Sequence, residues 1–272
     1  MNDIRHASHI ANRGRVELYE NLMQPLVERF GKDDLRRMDL CVKGVLGFEN
    51  LGDSGKKQKP TFMYFPGLPE TPVFDRGLFP WSKQLENSFE AIRDEAEKIL
   101  TEESAMSPFL TLKDEDKVSD YLGGQQPNWD AYFFYRHGKK FPLHHEARSN
   151  TSAVLVSLPL VRISEHAPEI CFSILTAGTH ILPHYGTINI RCVVHLPLIV
   201  PENCALKVHD ELVVTKAGEC FAFDDTFLHE AWNRGDGTRA ILLMVAWNPH
   251  LTETERLCLT EVVMAIGDFN RA

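Results

Sequence analysis

The sequence predicts a mainly β fold, a sandwich or jelly roll with helices packed on its outer face, and three observations predict it. The first is a change of periodicity: apolar residues recur at three- and four-residue steps before about residue 129, and fall in short β-rich runs after it. The second is the near-regular spacing of those runs, separated by the turn signals His137-Gly138-Lys139-Lys140, Ala177-Gly178, Pro201-Glu202-Asn203, Lys216-Ala217-Gly218 and Arg234-Gly235-Asp236-Gly237. The third is length: 272 residues suffice for one large domain, and no internal repeat or low-complexity tract divides them.

The elements follow in order. Val16, Tyr19, Leu22, Met23, Leu26, Val27 and Phe30 lie at helical spacing and predict an amphipathic helix over 16–30. Residues 53–61 read as a loop, and Phe65-Pro66-Gly67-Leu68-Pro69 as irregular backbone. A second helix is signalled from Ser82, a candidate N-cap, through Leu85, Phe89, Ile92, Ala96, Ile99 and Leu100. Strands are expected over 131–135, 153–160, 169–175, 188–199, 212–215, 220–223 and 240–247. One domain results, with a helical layer over 1–128, a jelly-roll core over 129–253 and a helical tail over 254–272.

Composition excludes several classes. With 43% hydrophobic and 25% charged residues the chain reads as globular. A net charge of -9 argues against nucleic acid as a partner, because phosphate binding needs a basic footprint. No apolar stretch has the length of a membrane helix, and the N-terminus is polar, so the expected setting is cytoplasmic with no membrane partner. The six cysteines are scattered singly without a CxxC pair, which predicts reduced, buried thiols.

Most of the 12 histidines need only a structural explanation. His144 and His145, in the 144–148 stretch, and Trp129-Asp130 read as surface loop. Three histidines differ in setting. His184 lies in Leu-Pro-His-Tyr-Gly, at the junction of a β-run and a turn; His229 follows the apolar run 220–223; His195 lies inside the run 188–199. Two histidines near strand ends can converge across the mouth of a small barrel, where imidazole suits Fe, Zn, Cu or Ni alike. Arg239 opens the last strand and, by alternation, can point inward beside such a centre. A buried arginine needs an anion, and a small dicarboxylate supplies one.

The segments 178–184, 189–195, Phe223-Asp224-Asp225-Thr226-Phe227-Leu228-His229-Glu230 and Trp247-Asn248-Pro249 together resemble the aspartyl/asparaginyl β-hydroxylase family. The likeness is dense over 170–253, with echoes in Asn128-Trp129-Asp130 and 137–140. It implies a double-stranded β-helix with Fe(II), 2-oxoglutarate and O2. Carried over by position, His184 and His229 become the iron ligands, Arg239 the partner of the distal carboxylate of 2-oxoglutarate, and Ser173 and His195 further contacts to that cosubstrate. Asp225 becomes an outer residue bonded to an iron-bound water.

Many non-haem iron oxygenases use His-x-Asp or His-x-Glu, but here Gly186 follows His184 by two, which matches the family's two-histidine variant. The peptide hydroxylases of the family read Arg-x-Arg-x-His where this chain has Arg191-Cys192-Val193-Val194-His195. Arg191 and Val193 are therefore the expected substrate-facing pair, with one anion reader and a more apolar pocket. The resemblance implies hydroxylation of an unactivated C–H, at the β-carbon, of a free amino acid, a carrier-tethered amino acid or a peptide residue. Two rivals differ in class: a halogenase, with chloride in the room left by Gly186, and a non-catalytic jelly-roll binding protein or cupin-like zinc hydrolase.

Overall fold

A computed structural model describes residues 2–51, 57–102, 106–110 and 129–271, with side chains from residue 13 to residue 269; residues 53–56 of the expected loop and Asn128 lie outside these. The chain divides into two compact units, one of residues 1–56, 62–69 and 250–272, the other of Lys57–Thr61 and Glu70–Pro249. The helical layer expected over 1–128 is thus shared between them.

The first unit is helical. It contains α1 (Asn2–Phe30), α2 (Arg36–Val45) and α7 (Glu253–Arg271). The expected helix over 16–30 is the latter half of α1, and Pro25 sits inside it. Met23, Leu26, Met38, Val42, Leu259 and Val262 are buried. Arg37 donates to both carboxylate oxygens of the buried Glu255, at 2.8 and 2.6 Å, the bidentate geometry that only arginine provides.

The second unit is built on two antiparallel sheets. Helices α3 (Ser82–Asn87), α4 (Phe89–Leu100), α5 (Pro142–Ala147) and α6 (Ser149–Ser157) accompany strands β1 (Ser107–Pro108), β2 (Trp129–Arg136), β3 (Lys139–Lys140), β4 (Ile170–Leu175), β5 (His180–His184), β6 (Arg191–Ile199), β7 (Cys204–Val208), β8 (Glu211–Val213), β9 (Phe221–Phe223), β10 (His229–Asn233) and β11 (Arg239–Trp247). Among the described residues one sheet runs β1-β2-β4-β11-β6-β9 with β3 on β2, and the other runs β5-β10-β7-β8. Apart from the β2–β3 and β7–β8 hairpins, the central pairs β4–β11, β11–β6, β6–β9, β5–β10 and β10–β7 join strands far apart in sequence, the winding of a double-stranded β-helix.

Alternation assigns the two faces of the larger sheet. Phe172, Ile174, Cys192, Val194, Leu196, Leu242 and Met244 point one way, into a core closed by Leu85, Ile92, Ala96 and Ile99 of α3 and α4 and Leu155 of α6. Trp129, Leu175, Val193 and Phe223 point the other way, toward Ile181, Leu206, Val208 and Ala231 of the smaller sheet. The helices therefore cover the outer face, as the sequence predicts, and the inner face is free to build a site.

Four expectations are corrected. Residues 149–157, inside the expected strand over 153–160, form α6, with Thr151, Val154 and Leu155 buried at helical spacing. Its first turn is capped from a distance: the buried Glu95 carboxylate accepts Asn150 N at 3.0 Å, Thr151 N at 2.9 Å and Thr151 Oγ1 at 2.6 Å. The helix expected from Ser82 is broken at Ser88 into α3 and α4, and its N-cap is Trp81, with Ser82 buried inside the helix. His144 and His145 lie on α5, not on an exposed loop; His145 is buried, its ring bonded to Ser152 Oγ and the Phe134 carbonyl, and His144 stacks on Tyr132. Trp129 is buried at the start of β2. All six cysteines are buried and unpaired. No helix among the described residues is long and apolar enough to cross a membrane.

Candidate active site

The smaller sheet brings two histidines together. β5 ends on His184 and β10 begins on His229, and the antiparallel register sets them opposite each other with ring centroids 4.1 Å apart. Each ring is oriented by a carbonyl two residues back: His184 Nδ1 donates to Leu182 O at 2.7 Å, and His229 Nδ1 to Phe227 O at 3.0 Å. A carbonyl only accepts, so Nδ1 carries the proton and Nε2 the lone pair in both rings. That arrangement fixes the tautomer a metal ligand needs. Burial, and then the neighbouring His229, hold the His184 imidazole down to about 4, and burial lowers His229. Both rings are neutral at physiological pH.

Gly186 and Asp225 occupy the space beside the pair. A Cβ on Gly186 would lie 2.2 Å from Asp225 Cγ and 2.4 and 2.5 Å from its carboxylate oxygens. The carboxylate therefore fills the room that a side chain two residues after His184 would take. Gly186 N donates to the Asp225 carbonyl at 2.6 Å, locking the two turns together. Burial raises the Asp225 carboxyl from its ordinary value, while Arg191 and His184 pull it back, and its Oδ1 has no hydrogen-bond partner among the described residues. Among the described residues no three His, Cys, Asp or Glu side chains form a metal-ligand set, so the geometry supplies two imidazoles and not a facial triad.

The larger sheet contributes an anion pocket. Ile241 pairs with Ser173, Leu243 with His195 and Arg239 with Leu175, so Ser173, His195 and Arg239 share the inner face. Arg239 is 3% exposed, and its Nε and Nη2 have no hydrogen-bond partner among the described residues. His195 is 5% exposed and neither ring nitrogen has a partner among the described residues; burial first, then Arg239, push its imidazole well below the ordinary histidine value. Burial lowers even the Arg239 guanidinium to about 10, which leaves it charged at neutral pH. A buried guanidinium without a partner costs several kcal/mol, to the order of magnitude, unless an anion joins it. Trp129 Nε1 donates to Ser173 Oγ at 2.9 Å, so the Ser173 hydroxyl keeps its own proton to donate elsewhere.

The structure thus places His184, His229, Asp225, His195, Arg239 and Ser173 on the facing elements of one interior. Val193 is buried on the same face, against Phe223, and Arg191 opens the strand, with Nη2 on Thr187 Oγ1 at 3.2 Å. Sequence reasoning missed Phe221 and Phe223, whose ring edges flank His195 with centroids at 5.2 Å each; the run 220–223 held the signal, since alternate residues of a strand share a face. It also missed Gln58, which no local pattern marks, and gave no role to Asp224, although Asp224 stands in the motif that carries the family likeness.

A family model described as aspartyl/asparaginyl beta-hydroxylase matches residues 86–249, more than half of the chain. The chain belongs to the aspartyl/asparaginyl β-hydroxylase family. Among relatives, aspartate beta-hydroxylase domain-containing protein 2 of Xenopus tropicalis is 30% identical over 250 residues, covering 90% of this chain and 65% of the relative. The Mus musculus protein of that name is 31% identical over 247 residues, covering 89% and 69%. The ornithine lipid ester-linked acyl 2-hydroxylase of Rhizobium tropici is 32% identical over 180 residues, 65% of this chain and 60% of that one. The chain thus spans about two thirds of the length of these family members. The match takes in every inner-face residue described above.

Proposed function

We propose that the chain is an Fe(II)- and 2-oxoglutarate-dependent dioxygenase that hydroxylates an unactivated C–H, the β-carbon of an amino acid, a carrier-tethered amino acid or a peptide residue. Its relatives carry the names of hydroxylases, which supports the reaction class. The observation that carries the finer reading is the juxtaposition of two imidazoles of one tautomer with a buried guanidinium whose Nε and Nη2 have no partner among the described residues. The donor set fits the group: neutral imidazoles suit a divalent iron, and the guanidinium suits a dicarboxylate.

His184 and His229 would hold the metal, and Arg239 the distal carboxylate of 2-oxoglutarate, with Ser173 and His195 as neutral donors beside it. When bound, iron and 2-oxoglutarate supply the activation of O2. The chain's own part is placement and exclusion. The two backbone carbonyls keep the imidazoles in one tautomer, and the aromatic edges of Phe221 and Phe223 keep His195 in place. Asp225 Oδ1 stands ready to accept a hydrogen bond from water at the centre. Val193 and Phe223 make the inner face apolar, so the C–H brought to it is shielded from solvent, while Arg191 is left to read a single anionic group of the substrate.

The halogenase alternative needs room for chloride beside Gly186, and the Asp225 carboxylate fills that room. The test of the reading is an anaerobic titration of the Fe(II)-loaded protein with 2-oxoglutarate. A visible charge-transfer absorption that grows in the wild type and is lost in His184→Ala supports it; a spectrum that 2-oxoglutarate leaves unchanged refutes it.

A further inference from the structure

One stretch of the β unit, Lys57–Thr61, takes no part in the chemistry above yet straps down both turns of the candidate centre. Lys59 N donates to Thr226 O at 2.8 Å and Thr61 N donates to Gly186 O at 3.0 Å. Between them, Gln58 Nε2 donates to Asp224 Oδ2 at 2.5 Å. The turn after β5 and the turn before β10 are therefore held by the same few residues.

Gln58 is 1% exposed, and its Oε1 has no hydrogen-bond partner among the described residues. A buried amide with one end unsatisfied costs free energy that an apolar side chain of the same size does not. Burial alone therefore does not explain a glutamine here; its N–H donation to Asp224 does. Asp224 is itself fully buried, and its other oxygen accepts Thr226 N at 2.9 Å and Thr226 Oγ1 at 2.6 Å, closing a side-chain-to-backbone turn. That turn presents two site elements in quick succession. Asp225 sets its carboxylate against Gly186, and Phe227 offers the carbonyl that orients His229. Gln58 supplies a donor to the Asp224 oxygen that the turn itself leaves over.

We infer that Gln58 is a positioning residue for the metal centre: through Asp224 it fixes the turn that packs Asp225 on Gly186 and aims the His229 ring. The inference rests on the reading of His184 and His229 as metal ligands. Outer partners of ligands typically set metal affinity by about 10–100-fold.

The test uses Co(II) alone as the probe, titrated into the metal-free full chain and followed by visible absorption. Gln58→Met keeps length and burial but removes the N–H. Leu155→Ala, in the core beneath the helices, is the control for stability loss without a site effect. The expected result is that Gln58→Met raises the Co(II) Kd by about 10–100-fold and alters the band positions, whereas Leu155→Ala lowers Tm and leaves Kd and spectrum alone. Where Gln58→Met does not fold, Gln58→Asn draws the amide back by one methylene and gives the same reading. Wild-type Kd and spectrum in a folded Gln58 variant overturn the inference and leave the histidine reading standing; so does an equal loss in Leu155→Ala. A wild-type protein that binds no Co(II), or binds it as well as His184→Ala does, sinks the histidine reading and this inference with it.

Discussion

Replacing Gly186 by alanine is the sharpest perturbation the site allows. The new methyl would meet Asp225 Cγ at 2.2 Å, with the two carboxylate oxygens at 2.4 and 2.5 Å. Unstrained carbon atoms stand about 3.5–4.0 Å apart, so the carboxylate has to retreat by more than about 1 Å. The turn cannot simply slide away, because Gly186 N is bonded to the Asp225 carbonyl at 2.6 Å and Thr61 N to the Gly186 carbonyl at 3.0 Å. Overpacking of this kind costs about 1–3 kcal/mol, and each kcal/mol lowers Tm by about 2–4 °C in a chain of this size. Gly186→Ala is therefore expected to lower the Tm of the metal-free protein by several degrees and to weaken Co(II) binding by about tenfold or more. Removing the atoms that are struck reverses the effect: Gly186→Ala/Asp225→Ala should regain most of the lost Tm, with a coupling of about 1–2 kcal/mol. Thermal melts by circular dichroism and Co(II) titrations read both quantities. An unchanged Tm and Kd in the single variant, or a double variant no more stable than the worse single one, would refute the packing argument.

Arg239→Met removes a buried cation whose Nε and Nη2 have no partner among the described residues, so the metal-free protein is expected to keep or raise its Tm, while affinity for 2-oxoglutarate falls about 30-fold or more, as one partner of a buried charge pair is worth about 2–5 kcal/mol. Isothermal titration calorimetry decides it; a lower Tm with unchanged affinity contradicts the assignment. The pH dependence of metal binding follows from burial: the folded His184 imidazole is held to about 4 and that of His229 is lowered from the ordinary histidine value, so protons begin to compete with the metal only at a lower pH than they would with solvated imidazoles. Co(II) affinity should change little between pH 7 and 6, and a marked loss already across that interval would show ordinary, solvated imidazoles. Glu95→Ala strips the remote cap from α6 and leaves two backbone N–H groups unanswered, at a cost of about 2–4 kcal/mol, with no change in Co(II) Kd. Chemical denaturation beside the metal titration checks both halves.

What the sequence made legible was whatever depends on local pattern. β4, β6 and β11 are continuous apolar runs because both their faces are buried, and such runs announce themselves. The same logic failed over 149–157, where β-branched residues suggest a strand but Glu95, more than fifty residues earlier in the chain, supplies the cap that makes a helix. β7 and β10 escaped notice, and β5 showed only as an unbounded β-run before His184, because each is short and carries polar residues such as His180, Lys207 and Glu230. At the site, His184, His229 and Arg239 were singled out by their positions near strand ends and His195 by its place inside a β-run, and the family likeness added Ser173 and Asp225 and gave His195 its role. The absence of a side chain at Gly186 was readable, but its cause was not. Asp225 fills that space from a turn almost forty residues away, and Gln58 braces the turn from further still. Contacts of that kind exist only once the chain has closed on itself.

The central claim is that this chain oxidises a substrate C–H at the expense of 2-oxoglutarate, using iron held by His184 and His229. Its most direct test is succinate formation from 2-oxoglutarate under air by the Fe(II)-loaded protein, across amino acids, carrier-tethered amino acids and short peptides, with His184→Ala alongside. The account predicts turnover that rises with one substrate class, requires O2, disappears in His184→Ala and leaves a product one oxygen heavier. No succinate under any of these conditions, or equal turnover in His184→Ala, would contradict it.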